Sequence, residues 1–455
     1  MTRDDIVAAL AGSGMPRDTA LAKVPLFEAC EVLRSRLRWE APDHAWWIPG
    51  RLEVFGKHTD YAGGRTLVAA LPLGIALLSG NSRASTAPVT VADAHSGEIV
   101  TVPAAGDRGP GTGPGWAIYV DTVVGRLARN FPGVALAADI LFASDLPPAA
   151  GMSSSSALVV GLAAALVTLS EIETREEWRR NITGPLDRAA YFACIENGAT
   201  FRELTGDTGV GTHGGSEDHA AILCGAPAQL TGFSFVPLRL VAKIALPAEW
   251  RFVVAFSGVS AEKTGAAREA YNALARDAAA IVRLWNAHES TAASLSEVLT
   301  STPSGRARLL EIMRRSDLSD SSRRDLERRV DHFVREDARV PDAMAAFDAA
   351  DAAALADLAS GSQRDAEVLL RNQVPETVAL ATAARELGAI GACSFGAGFG
   401  GSVWALVHRD AAHRFPARWL AACRPALPAA SAFEAPPGPP LTELPAPSFR
   451  FPAPS

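Results

Sequence analysis

The sequence predicts an α+β protein of two domains, in which strands and helices are segregated rather than regularly alternated. Strand-like segments rich in β-branched and aromatic residues dominate the first part of the chain. From about residue 261 to 387 the composition becomes Ala-, Arg- and Asp-rich and helical, and a glycine loop and one strand follow. A length of 455 residues also allows two or three domains.

We divide the chain into four segments: an amphipathic lead-in over residues 1–24, a first domain over 25–240, a second domain over 241–443 and a Pro-rich tail over 444–455 that we expect to be disordered. A further loop dense in Gly and Pro, residues 103–115, is expected to be exposed and mobile.

The first domain opens with two strands, in WWIPGRLEVFG and TLVAALPLGIALLSG, and a hairpin that turns at Ser96-Gly97. Apolar residues at helical spacing predict a helix over 116–130. A strand in ALAADILFASDLPP then leads into a loop of small residues, and helices are expected from Ala157 and over 185–205. The strands AQLTGFSF and WRFVVAFS follow, then helical sequence including RRDLERRVDHFVRED and PETVALATAARELG, and the last strand, SVWALVH.

The composition excludes several classes of function. The net charge of −7 is spread without a basic run, which argues against binding to nucleic acid. The most apolar stretch, residues 157–169, is too short to span a bilayer, and the N-terminus lacks the apolar core of a signal peptide. Five cysteines without a CxxC pair indicate reduced thiols in a cytoplasmic protein.

The strongest local signal is LPPAAGMSSSSAL, residues 146–158, where small residues connect a strand to a helix. A phosphate group approaches a chain most closely where side chains are absent, and the first turn of a helix offers unpaired amides. The serine hydroxyls add ligands for phosphate or Mg²⁺. The structural alternative is a serine-rich N-cap, and the absence of GK[ST] excludes a Walker A loop.

A second motif, GRLEVFGKHTDYAGG over residues 50–64, presents Arg51, Lys57, His58 and Asp60 near one turn. A cation and a carboxylate together suit a polyol, although a salt-bridged hairpin corner has the same composition. A third, GTHGGSEDH over residues 211–219, sets Asp218 beside a glycine turn, where it could orient and deprotonate a hydroxyl. A fourth, GAGFGG over residues 396–401, lies between a helix and a strand, and we reject it as a dinucleotide site because it runs into a strand.

The order of these four motifs resembles the galactokinase group of the GHMP kinases, over roughly residues 40 to 440. The resemblance implies a ribosomal-protein-S5-domain-2-like N-terminal domain and a ferredoxin-like C-terminal domain that face each other across a cleft. It implies ATP and Mg²⁺ as cofactors and a galactose-like sugar as the small-molecule partner, phosphorylated at its anomeric hydroxyl.

The resemblance also implies roles for individual residues. Asp218 takes the place of the catalytic aspartate, and Arg51 that of the arginine that stabilises charge near the transferred phosphoryl group. The remaining expected positions are Lys57, His58, Asp60, Gly215 and Tyr271 for the sugar; Gly151, Met152, Ser153, Ser154, Ser155, Ser156 and Gly398 for ATP; and Ser155 and Glu196 for the metal. The spacing from Glu196 to Asp218 is longer than is usual in the family.

Three departures from the family pattern bear on the substrate. Lys57 stands where galactokinases carry a glutamate that contacts the distal hydroxyl of the sugar. One hypothesis is that Lys57 pairs with the carboxylate of a uronic acid; the other is that it pairs with an acid such as Glu53 or Asp60 and leaves an ordinary hexose site.

The second departure is that the Met and Gln that usually flank the catalytic aspartate are replaced by Glu217 and His219. The third concerns the tyrosine that galactokinases place over the sugar, for which Arg268 and Tyr271 remain alternatives. A non-catalytic sugar sensor is a further alternative, which the intact serine loop and Asp218 disfavour. The signature His58-Thr59-Asp60 disfavours an isoprenoid or amino-acid substrate.

Overall fold

The computed structural model describes residues 2–82, 87–103, 115–260 and 265–445. The strands in these ranges are β1 (His44–Phe55), β2 (Arg65–Asn81), β3 (Val89–Asp93), β4 (Ile99–Val102), β5 (Ala138–Ser144), β6 (Gln229–Ser234), β7 (Arg239–Ala245), β8 (Trp250–Phe256), β9 (Gly391–Phe395), β10 (Ser402–His408), β11 (Ser431–Glu434) and β12 (Thr442–Leu444).

The helices are α1 (Arg3–Gly12), α2 (Arg17–Leu37), α3 (Ala117–Asn130), α4 (Ser154–Leu169), α5 (Glu176–Asn181), α6 (Pro185–Asn197), α7 (Glu217–Cys224), α8 (Gly265–Asn286), α9 (Leu295–Thr300), α10 (Gly305–Arg315), α11 (Asp320–Asp348), α12 (Ala352–Asp365), α13 (Pro375–Glu386), α14 (Arg409–Ala412) and α15 (Phe415–Cys423). Short 3₁₀ turns occur at Asp60–Ala62 and Ile172–Thr174, and a π-helical turn continues α12 over Ala366–Leu370. None of the helices in the described part of the chain has the length and apolar character needed to cross a membrane.

The first domain is built on a mixed sheet in the order β12-β1-β2-β5-β3-β4. The hairpin β6–β7 joins this sheet through β6, which pairs with the N-terminal part of β2. All pairings are antiparallel except that between β3 and β5. Helix α4 packs on one face of β1 and β2, and α1 and α2 cover the opposite face. Burial on both faces explains why these two strands read as continuous apolar runs instead of alternating ones.

The second domain is built on a four-stranded antiparallel sheet in the order β11-β8-β10-β9. Along the chain its elements run β8, helices, β9, β10, helices, β11, which is the βαββαβ pattern of a ferredoxin-like domain. Helices α13 and α15 cover one face through a cluster that includes Leu380, Val403 and Trp419. The predicted α+β class is confirmed.

Helices α8 to α11 form a helical layer on a separate apolar cluster that reaches Tyr61 and Ala62 in the turn after β1. Helix α11 also contacts β1, β2 and β7, so it runs along the junction of the two domains. This placement brings residues of the second half of the chain directly against the motif at residues 50–64.

Three predicted boundaries cut through observed elements. Residue 24 falls inside α2, whose buried side chains pack on the first sheet, so residues 1–24 are part of that layer. Residue 240 falls inside β7, which pairs with β6 and belongs to the first domain. Leu444, assigned to the tail, pairs with Ala45 as the last residue of β12. The remaining tail from 446 and most of the loop at 103–115 lie outside the described residues.

Several elements differ from the sequence-based expectation. Helix α4 begins at Ser154 rather than Ala157, which brings the serines into its first turn. Helix α6 ends at Asn197 rather than 205, because Gly198 adopts the left-handed conformation (φ 83°) that terminates helices. The loop at 396–401 connects two strands, β9 and β10, instead of a helix and a strand. Strand β7 was missed.

Replacing Phe27 by Ala tests whether α2 is an integral layer of the first domain. Phe27 is fully buried against the sheet, so the substitution should lower the free energy of unfolding by about 3–5 kcal/mol in urea denaturation. Leu21 on the same helix is 57% exposed, and Leu21→Ala should change it by less than about 0.5 kcal/mol. Equal effects of the two substitutions would contradict this assignment.

Candidate active site

A cleft with about 1000 Å³ of space, part of it open to solvent, collects most of the residues singled out in the sequence. Its walls come from β1 and the turn after it, the serine loop and α4, α6, the segment before α7, and the loop between β9 and β10. The predicted residues that line it are Arg51, His58, Asp60, Gly151, Ser153, Ser154, Ser155, Ser156, Glu196, Gly215, Asp218 and Tyr271. Four motifs that are far apart in sequence therefore share one site.

The serine loop is held in place by β1 through Arg51. The Arg51 amide donates to the carbonyl of Met152 at 3.1 Å, and its guanidinium donates to the carbonyl of Gly151 at 2.7 Å. Ser153 adopts a left-handed conformation (φ 62°) directly before α4, so the chain turns sharply into the helix. The first-turn residues Ser154 and Ser155 face the cleft, where the helix terminus favours an anion.

The guanidinium of Arg51 is buried among three carboxyl groups. Its Nε lies 2.7 Å from Asp218 Oδ1 and 3.0 Å from Glu217 Oε1, and its Nη2 lies 3.6 Å from Glu53 Oε2. These carboxyl groups raise the pKa of Arg51 against the opposing effect of its burial, so the side chain stays cationic. Asp218 also accepts a hydrogen bond from the Ser156 hydroxyl at 3.2 Å.

Two of the carboxyl groups around Arg51 are disfavoured in their ionised form. Burial raises the pKa of Glu217 well above its usual range, and the nearby Glu53 adds to this effect. Burial also raises the pKa of Glu53 to about 7, although Arg51 and Lys57 oppose the shift. Asp218 is more exposed than either, which leaves it the carboxylate best able to face a bound ligand.

The turn at residues 56–61 presents His58 and Asp60 to the cleft. Nδ1 of His58 lies 2.8 Å from the Tyr61 hydroxyl, and Nε2 lies 3.1 Å from the carbonyl oxygen of Ala397 in the opposite domain. Burial and the neighbouring Arg329 lower the pKa of His58 to about 3, so the imidazole is neutral near pH 7. His58 therefore joins the two domains as a neutral hydrogen-bonding group.

Asp60 is fixed by the segment before α7. Its Oδ2 accepts a hydrogen bond from the amide of Glu217 at 3.3 Å, and burial raises its pKa. A Cβ atom at Gly215 would lie 2.2 Å from the same oxygen, so the close approach depends on glycine at that position. The second and third sequence motifs thus meet at this contact.

Lys57 does not line the cleft, which corrects its predicted role in sugar binding. The side chain is 1% exposed and turns toward the second domain, where Nζ lies 2.7 Å from the Ser362 hydroxyl, 3.1 Å from Cys393 Sγ and 3.8 Å from Glu336 Oε1. The ionic partner is Glu336 on α11 rather than Glu53 or Asp60. A lysine at this position is accommodated because α11 supplies a buried carboxylate.

Glu336 also holds the backbone of the turn after β1. It accepts hydrogen bonds from the amides of Gly56 at 3.0 Å and Lys57 at 3.3 Å, and Arg339 pairs with its other oxygen at 3.0 Å. Burial opposes ionisation of Glu336, but Lys57, Arg339, the Gly56 amide and the Ser362 hydroxyl lower its pKa. An ionised residue of α11 therefore sets the position of the turn that carries His58.

Tyr271, and not Arg268, faces the cleft. The Tyr271 ring lies 5.5 Å from that of His58 between centroids, whereas Arg268 is exposed and is absent from the cleft lining. Glu196 lines the cleft from α6 and pairs with His219, whose Nε2 lies 3.2 Å away. Glu217 and His219 replace the Met and Gln that usually flank the catalytic aspartate. Glu217 contacts Arg51 and His219 contacts Glu196, so both contact other residues of the site.

Two predicted ATP-binding positions do not line the cleft. Met152 is buried and contributes its carbonyl group to Arg51, and Gly398 lies against Asn372, with its neighbours Gly396 and Ala397 lining the cleft instead. Several further lining residues were given no binding role from the sequence, namely Glu53, Tyr61, Tyr119, Asn197, Thr212 and Glu217. The available signal for Glu53 was its position two residues after Arg51, on the same face of β1.

The comparisons with known proteins agree with this architecture. Residues 38–79 match the galactokinase galactose-binding signature, 119–191 the N-terminal domain of GHMP kinases, and 343–424 their C-terminal domain. The galactokinase of Roseiflexus sp. is 28% identical over 81% of this chain and 84% of that protein. The galactokinase of Streptomyces coelicolor is 33% identical, but over 30% of this chain and only 34% of that protein.

Among solved structures, Lactococcus lactis galactokinase complexed with galactose superposes with a TM-score of 0.72, covering 91% of this chain and 99% of that chain at 20% identity. Mevalonate kinase of Methanococcus jannaschii gives a TM-score of 0.52 at 12% identity, over 86% and 97% of the two chains. These likenesses establish the fold.

The chain belongs to the GHMP kinase superfamily, whose N- and C-terminal domains it carries in order. Within that superfamily it is galactokinase-like, because the galactose-binding signature covers the turn that carries His58 and Asp60.

A double-mutant cycle on Lys57 and Glu336 measures their interaction. Lys57→Met should lower the free energy of unfolding by about 1–3 kcal/mol, because it removes one charged partner of a buried carboxylate that keeps Arg339 and two amides. The double variant Lys57→Met/Glu336→Gln should lose at least about 1 kcal/mol less stability than the sum of the two single losses. The reason is that the glutamine carries no charge that would need the lysine as its partner. Additive effects in urea denaturation would show that the two side chains are not coupled.

Proposed function

We propose that the chain transfers the γ-phosphoryl group of ATP to the anomeric hydroxyl of a galactose-like sugar. The contact that carries the proposal is the Arg51–Asp218 pair at 2.7 Å, which lies between the serine loop and the turn with His58 and Asp60. The proposed phosphate-binding loop and the proposed polyol-binding turn thus flank one cation and one partly exposed carboxylate. Phosphoryl transfer requires this combination of positioning and charge neutralisation.

In the proposed reaction, Asp218 accepts a hydrogen bond from the anomeric hydroxyl and takes up its proton as the oxygen attacks the γ-phosphorus, while the bond from that phosphorus to the β–γ bridging oxygen breaks and ADP leaves. Arg51 stabilises the negative charge that gathers on the transferred phosphoryl oxygens. The same guanidinium holds Asp218 in place and fixes the serine loop through Gly151, so the proposed base and the proposed phosphate-binding loop share one anchor.

Mg²⁺ fits the residues present. Ser155 and Glu196 line the same cleft and offer a hydroxyl and a carboxylate, which are hard oxygen ligands. Among the described residues no group of three or more acidic, histidine or cysteine side chains could hold a metal alone. This suits an ion that keeps several waters and takes further ligands from nucleotide phosphates; when bound, Mg²⁺ would neutralise phosphate charge.

The alternatives receive less support. A uronic-acid substrate would need a cation in the cleft at the position of Lys57, and that side chain is buried against α11. A non-catalytic sensor is disfavoured because Arg51, Asp218 and the serine loop form a connected unit.

We further propose a cytoplasmic location, consistent with free thiols at Cys30, Cys194, Cys224, Cys393 and Cys423.

A coupled ADP-release assay with Mg-ATP tests the proposed activity. The panel is galactose, galacturonate, glucuronate, arabinose, fucose, N-acetylgalactosamine and mevalonate. We expect turnover of a neutral galactose-like sugar and none of either uronic acid. Turnover restricted to uronic acids, or to mevalonate, would overturn the proposal.

Asp218→Asn should lower kcat by about 10²–10⁴-fold, because an amide cannot take up the proton of the hydroxyl. ATP binding, measured by calorimetry, should stay near the wild-type value, since Arg51 keeps Glu217 and the Gly151 carbonyl as partners. Glu217→Gln is the matched control: burial already raises the pKa of that carboxyl group, and the amide keeps an oxygen acceptor for Arg51, so most of the turnover should be retained. Near-normal kcat of Asp218→Asn would exclude Asp218 as the catalytic base.

A further inference from the structure

Glu53 is a buried acidic residue of the cleft to which the proposed reaction gives no role. It follows Arg51 by two positions on β1 and is 3% exposed. Its Oε2 accepts a hydrogen bond from the amide of Gly396 at 3.2 Å and faces Arg51 at 3.6 Å. The carboxyl group is therefore fixed from both domains.

The other carboxyl oxygen of Glu53 is left for a ligand. Oε1 is buried and has no hydrogen-bond partner among the described residues, and Glu53 forms part of the cleft wall. An acceptor that is removed from water without a partner destabilises the folded state, so such groups in native proteins are commonly satisfied by a ligand or by ordered water. Because Glu53 also lines the cleft, a ligand bound there is a partner available to Oε1.

The position of Glu53 indicates which part of the bound substrates it contacts: the phosphate groups, the metal ion or the sugar. A carboxyl group repels the phosphoryl oxygens that Arg51 attracts, so a phosphate is not its partner. The proposed metal ligands, Ser155 and Glu196, lie on two other elements, α4 and α6. On its own wall Glu53 is followed by the turn with His58 and Asp60, the polar groups assigned to the sugar.

We propose that Oε1 of Glu53 binds a non-reacting hydroxyl group of the sugar and thereby contributes to substrate specificity. This inference rests on the proposed function and adds a specificity residue to which the sequence motifs assigned no role in sugar binding. A hydroxyl suits the site because it both donates and accepts, so it can pair with the carboxyl group in either protonation state.

The test combines Glu53→Gln with sugars that lack one hydroxyl each. The Gly396 amide requires an acceptor, so the glutamine amide should orient its NH₂ group toward the cleft and place a donor where Oε1 accepted. The assay is run at pH 8. The pKa of Glu53 is raised to about 7, so its carboxyl group is mainly ionised at this pH. The charged or titratable groups that surround it are Arg51, Lys57, Glu336, Glu217 and Asp218.

We expect Glu53→Gln to lower kcat/KM for the preferred sugar by about 10- to 100-fold, the range of a hydrogen bond to a charged group. The 2-, 3-, 4- and 6-deoxy forms of that sugar are then compared. For one of them, wild type and variant should differ by less than about twofold, since the interacting hydroxyl is already gone. Glu386→Gln, on the exposed end of α13, is the control and should match wild type with every sugar.

A loss by the same factor for all the sugars would overturn the inference and leave Glu53 with a structural role. A raised Mg²⁺ requirement with unchanged sugar ratios would overturn it in favour of metal binding. If Glu53→Gln does not fold, Glu53→Asp is compared with wild type on the same deoxy sugars. This substitution keeps the charge but shortens the side chain by one methylene group. Absence of wild-type turnover with any neutral sugar would instead contradict the proposed function itself.

Discussion

The site depends on one buried cation. Arg51 lies on a central strand of the first sheet, and its backbone amide and guanidinium fix the serine loop while its Nε holds Asp218 and Glu217. Burying a guanidinium is costly unless carboxylates and carbonyls surround it, and here they come from the motifs that the reaction needs. The carboxylates and carbonyl groups that offset the cost of burying Arg51 are thus the same groups that form the cleft. Glycines at positions such as Gly215 permit the close contacts that complete it.

The second domain contributes more than a wall of the cleft. Glu336 on α11 anchors the amides of Gly56 and Lys57, and Ala397 on the β9–β10 loop contacts His58. The charged and polar groups at this junction are nearly all buried, so they are weakly screened and strongly directional. The geometry of the sugar-side turn is therefore set jointly by both halves of the chain, although the turn itself belongs to the first.

The sequence predicted the fold class, most strands and the motifs that form the cleft, because these depend on local composition and on contiguous patterns. It failed where side-chain direction depends on distant partners. Lys57 reads as a cleft residue beside His58, but a carboxylate on α11, 279 positions later, draws it into the interior. Glu53 was overlooked because nothing local reveals that Gly396 fixes one of its oxygens. The boundary errors have a similar cause, since α2 and β12 join the first sheet through contacts that sequence composition does not show.

The return of the chain to its first sheet has a mechanical consequence. After the second domain, β12 pairs with β1 at the edge of the first sheet, so the two domains are joined by two crossings of the backbone, one after β7 and one before β12. A single linker would let the domains twist about it, whereas two tethers restrict twisting. The backbone therefore constrains the relative position of the two walls of the cleft at two points instead of one.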